Sequence, residues 1–194
     1  SEADGFPLLQ LGPGIFAVNE SSAYTWVKYK KLCLEGLKGF LSSYPKLTKS
    51  TFEFTQLELK YIDAFKAHTG NASDYLEFLN SSTNLSLALP EFLRSRAVGS
   101  IQNGQVAMTY PVSGAKDTLF SFSLGRAAVS GVQSIVLETK VITTFAQPST
   151  TRDARPDTKY FDVWLEQAHE VISPFFKSFV KPSLMSEFRG EPSE

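Results

Sequence analysis

Between Val106 and Phe145 the chain alternates apolar and polar residues in three successive stretches, and this alternation constrains the fold more than any other feature. Successive side chains of a strand point to opposite faces, so such a pattern builds a pleated layer that is apolar on one side only. The first stretch points Val106, Met108, Tyr110 and Val112 to one face. The second turns Phe120, Phe122 and Leu124 inward and leaves Ser121 and Ser123 outside. The third runs from Ser134 to about Phe145, with Ile135, Leu137, Val141 and Phe145 opposed by Glu138 and Lys140. Short connections predict an antiparallel meander. Its apolar face has to be covered, and helices are the only candidates.

The predicted cover is the C-terminal segment. Asp157 suits an N-cap, and Phe161, Leu165, Ala168, Ile172, Phe175 and Phe179 form one helical stripe flanked by Trp164, Val171 and Phe176. Pro174 lies inside it. A proline removes one helical hydrogen bond, which predicts a kink or a restart with Ser173 as cap. Lys181-Pro182 ends the long element.

Upstream, Leu8 to Val18 reads as two short strands around Gly12-Pro13-Gly14, with Pro13 and Gly14 in the central positions of a type II turn. Ser21 or Ser22 can cap a helix carrying Trp26, Tyr29, Cys33, Leu37, Phe40 and Tyr44, closed by Pro45. Gln56 to Tyr61 alternates again. Phe52 and Phe54 have the opposite phase, so a bulge or break is expected near Thr55. In the irregular stretch 66–100, Ser73 suits the cap of a short helix through Tyr75, Leu76 and Leu79, and Pro90 the start of another carrying Phe92 and Leu93.

The expected architecture is a single α+β domain over 1–194, with a mostly antiparallel sheet of five to six strands. Helices, chiefly the first and the last, pack across one face of that sheet. Sixteen phenylalanines predict a core filled by rings. A sheet wrapped on a long C-terminal helix is also the plan of helix-grip folds, which often enclose an apolar cavity.

The chain carries little of the usual chemistry. It has two histidines and one cysteine, His68, His169 and Cys33, far apart in sequence. It contains no GxGxxG, P-loop, HExxH, CxxC pair or GxSxG. A formal net charge of −1 supplies no field to recruit nucleic acid, and no apolar run approaches a membrane span. One cysteine cannot form an internal disulfide, which points to the cytoplasm. Asn19, Asn71, Asn80 and Asn84 stand in Asn-x-Ser sequons, read here as a chance excess.

Leu9-Gln10-Leu11-Gly12-Pro13-Gly14, Tyr24-Thr25-Trp26, Leu57 to Asp63, and Trp164 to Phe176 together span most of the chain. With these motifs the sequence resembles a sporadically distributed family of uncharacterised bacterial proteins that has no established activity, cofactor or catalytic residue. The resemblance implies a further N-terminal stretch before the Gly-Pro-Gly turn. It also implies an amide side chain where Asp63 stands, and a final helix without Pro174.

The candidate residues are few. His169 and Glu166 have the Glu-x-x-His spacing of di-iron bundles, but there is no second copy, so no metal site is expected. The plainer reading is a half-buried histidine satisfied by a backbone or carboxylate partner. Cys33 reads as a small core hydrophobe, and Lys28-Tyr29-Lys30-Lys31 beside Trp26 as a solvated helix face.

Three functions fit this pattern. The first is a non-enzymatic protein-interaction module working through a sheet edge, a helix face or the 66–100 region. The second is a carrier of a small apolar ligand, held between sheet and C-terminal helix by Trp164, Tyr61, Tyr110 and Phe122. The third is an enzyme using His169 with Glu166 or Asp162. The expected partners are another protein or a small apolar ligand, with no cofactor, nucleic acid or membrane.

Overall fold

The computed structural model describes residues 7–21, 24–43, 54–66, 75–96, 104–145 and 158–189. It is α+β with antiparallel sheets, and its chain forms two compact units. Tyr44, Pro45, Phe52 and Ser73 lie outside the described residues.

The first unit comprises residues 1–55 and 146–167. Strands β1 (Leu8–Gly12) and β2 (Ile15–Asn19) pair antiparallel around Pro13 and Gly14. Gly14 has the positive φ, 73°, that the second central position of a type II turn requires. Helix α1 (Trp26–Ser43) follows. The Tyr29 N–H bonds to the Thr25 carbonyl, so Thr25 holds the N-cap position expected at Ser21 or Ser22. Leu9, Leu11, Phe16 and Val18 share one face of the hairpin. Phe16 stacks on Phe40 at 5.4 Å, and the Tyr29 hydroxyl donates to the Val18 carbonyl. A Cβ on Gly36 would come within 3.1 Å of Leu9 and 3.2 Å of Phe16, so glycine is what lets the hairpin sit down on the helix.

The second unit comprises residues 56–145 and 168–194. Its sheet has the order β3-β6-β5-β4, from β3 (Gln56–Lys66), β4 (Gln105–Pro111), β5 (Thr118–Val129) and β6 (Val132–Thr144). All three pairings are antiparallel. Positive φ at Ser130 and Gly131 gives the β5–β6 hairpin the turn whose twist matches its strands. The expected one-sidedness is present. Leu57, Leu59, Phe65, Phe120, Phe122, Leu124, Ile135, Leu137 and Val141 are buried on one face. Glu58, Lys60, Glu138 and Lys140 form ion pairs on the other.

Helix α2 (Tyr75–Ser82) buries Tyr75, Phe78 and Leu79, and the Tyr75 hydroxyl donates to the Leu124 carbonyl at 2.6 Å. Within 66–100, Tyr75, Phe78, Leu79 and Thr83 are therefore part of the core, while the described residues from Asn84 to Arg96 are exposed or half-buried. Helix α3 (Glu91–Arg96) starts one residue after Pro90. Helix α4 (Thr158–Phe179) gives its residues up to Gln167 to the first unit and the rest to the second. In the second unit Phe175 lies 4.9 Å from Phe120 and from Phe122, and Phe179 lies 5.7 Å from Phe122. These ring pairs seat the helix on the sheet. Helix α5 (Pro182–Arg189) follows.

Two expectations need correcting. Among the described residues the strands form a four-stranded and a two-stranded sheet, not one sheet of five or six: β1 and β2 pair with each other, and Phe16 of their hairpin stacks on Phe40 of α1. The helix does not restart at Pro174, since α4 runs unbroken to Phe179.

Candidate functional site

Two candidates from the sequence meet in the second unit. The Tyr61 hydroxyl and His169 Nδ1 share a hydrogen bond of 3.0 Å. Alternation in β3 brings Tyr61 to the covered face, and the helical repeat of α4 turns His169 toward it. The Tyr61 phenol is thus one hydrogen-bond partner of the half-buried histidine. Tyr61 stands opposite Thr139 in the register, and Asp63 follows two residues later on the same face. Thr139 is fully buried and its hydroxyl has no hydrogen-bond partner among the described residues. Burial raises the Asp63 carboxyl from its ordinary value to about 6. Sequence reasoning missed Asp63 and Thr139, although Leu57, Leu59 and Tyr61 already fixed the phase that carries Asp63 inward.

Glu166 belongs to the first unit, where it accepts from Lys30 at 2.7 Å and from the Trp26 indole at 3.3 Å. Lys30 also reaches Asp162 at 2.8 Å, and the hydrogen bonds its ammonium donates to Asp162 and Glu166 raise it above the usual lysine value. Trp164 is buried and stacks on Phe161. Phe122 is enclosed by Phe120, Phe175 and Phe179, so its ring fills core space. Cys33 is buried, and desolvation pushes its thiol up to about 11, far from a reactive thiolate. A shallow depression of about 360 Å³, lined by Leu34, Glu35, Lys38, Thr158, Lys159 and Asp162, lies wholly within the first unit. It gathers no convergent set of chemically active groups. Among the described residues no cluster of His, Cys, Asp and Glu could hold a metal, and no helix is long and apolar enough to cross a membrane.

Tyr110, the remaining candidate, marks a different feature. It lies on β4, the last strand of the sheet, which has a neighbour on one side only among the described residues. The register sets Val106, Met108 and Tyr110 beside Leu124, Phe122 and Phe120, so the apolar face continues onto β4. The rings of α4 cover β5, yet Met108 remains 38% exposed and Tyr110 47%.

The backbone of β4 can be oriented from one bond: Val112 N–H donates to the Thr118 carbonyl at 2.9 Å. Bonded residues alternate along an antiparallel strand. Tyr110, Met108 and Val106 therefore aim their backbone groups at β5. Thr109, Ala107 and Gln105 aim theirs at the open edge, joined by the carbonyl of Pro111. Proline is tolerated there because its missing N–H falls on the open side. Edge strands are commonly protected by charged side chains. The other edge, β3, carries Glu58, Lys60, Asp63 and Lys66, whereas β4 carries no charge in Gln105–Pro111.

Comparisons with protein-family models, curated proteins and solved structures found no match.

Proposed function

We propose that this chain is a non-enzymatic protein-interaction module that docks an extended segment of a protein partner as an added strand along β4. The observation that carries this reading is the outer edge of β4, which has no strand beside it among the described residues and is uncharged and continuous with partly exposed apolar side chains. Backbone groups of Gln105, Ala107 and Thr109 would supply affinity, and Met108 and Tyr110 would select alternate apolar residues of the incoming strand. A buried, protonated Cys33 accords with a cytoplasmic setting, which is part of the same proposal.

The test is site-specific photocrosslinking of the full chain in its own cells. A photoreactive residue replacing Thr109 is expected to form a defined adduct mapping to an extended protein segment. The same residue replacing the exposed Ile62 on β3 is expected to form none. Equal labelling at both positions, or no adduct at Thr109, overturns the reading.

A further inference from the structure

We infer that the strand added to β4 is β4 of a second copy of this chain, paired antiparallel about a two-fold axis through Met108. This rests on the strand-docking reading and names its partner. A C2 interface requires a surface complementary to itself, and β4 meets that requirement residue by residue. With Met108 on the axis, Ala107 and the partner's Thr109 face each other, both aiming their N–H and C=O outward, and the symmetric pair repeats the exchange. Gln105 N–H meets the carbonyl of the partner's Pro111; the missing proline donor leaves one ladder acceptor, the carbonyl of the exposed Gln105 at the end of the pairing, to water. The intervening positions place Met108 against the partner's Met108, and Val106 against the partner's Tyr110. These are close, non-hydrogen-bonded pairs on the apolar face, where aromatic and β-branched side chains favour pairing. No pair sets like charges together, because Gln105–Pro111 contains none.

The register gives the test its specificity. Met108 is partly exposed, so Met108→Lys can fold, but on the axis it sets two ammonium groups face to face. Sedimentation velocity of the full chain across the micromolar range is expected to show a monomer–dimer equilibrium. Met108→Lys and Met108→Glu should each weaken it at least tenfold, and an equimolar mixture of the two should restore a dimer. Thr109→Pro removes only an outward donor and is expected to give a monomer with unchanged far-UV circular dichroism. A dimer indifferent to all three variants, or a charge-paired mixture that stays monomeric, overturns the inference. A wild-type chain monomeric throughout overturns it too, and leaves strand docking to the Thr109 crosslinking result, so the two failures are distinguishable.

Discussion

Asp63→Asn isolates a carboxyl that the fold half-buries on the apolar side of the four-stranded sheet. The substitution keeps size and shape and removes only the ability to ionise. Burial moves this group from 3.8 to about 6. At full burial that difference is worth about 3 kcal/mol between the two protonation states. Asp63 is half-buried, and solvent screening reduces the effect to roughly 1–2 kcal/mol. The sign follows from proton binding. The folded chain keeps the proton up to about pH 6, whereas the unfolded chain releases it near 3.8, so stability falls as pH rises through that window. Above it the penalty is complete. Urea titrations of the full chain, followed by far-UV circular dichroism, should find Asp63→Asn more stable than wild type by roughly 1–2 kcal/mol at neutral pH. The difference should shrink toward zero near the ordinary aspartate value. A difference independent of pH, or an asparagine variant less stable at neutral pH, would refute the argument that desolvation governs this position.

Other substitutions probe the packing and the helix. Phe175→Ala removes the ring that meets Phe120, Phe122 and Phe179, and should cost about 3 kcal/mol in the same titration. Because α4 is unbroken at the exposed Pro174, Pro174→Ala should raise stability by about 1–3 kcal/mol; a loss would show that the helix depends on the proline. Lys30→Met breaks partly exposed pairs with Asp162 and Glu166 and should cost about 1 kcal/mol or less, with the difference diminishing in high salt.

Period-2 alternation made β5, β6 and the start of β3 legible, because each has one buried face and one wet face. The stripe from Phe161 to Phe179 made α4 legible for the corresponding reason at period 3.6. The partition of six strands into two sheets was not legible, because pairing partners are set by tertiary approach. The decisive approach here is the hairpin closing on Gly36, which no local pattern announces. Tyr61 and His169 were both candidates, but their pairing needed the crossing of α4 over β3. The open edge of β4 was beyond sequence reading in the same way. Val106, Met108 and Tyr110 alternate as an interior strand would, and only the strand order makes β4 the last one.

Residue-resolved amide hydrogen exchange on β4 tests the central claim most directly. Met108 and Tyr110 N–H groups, aimed at β5, should be protected at every protein concentration. Those of Ala107 and Thr109 should exchange freely in dilute solution and gain protection as concentration rises. Protection of all four at high dilution, or outward amides that stay unprotected at every concentration, would contradict an open edge that a second copy fills.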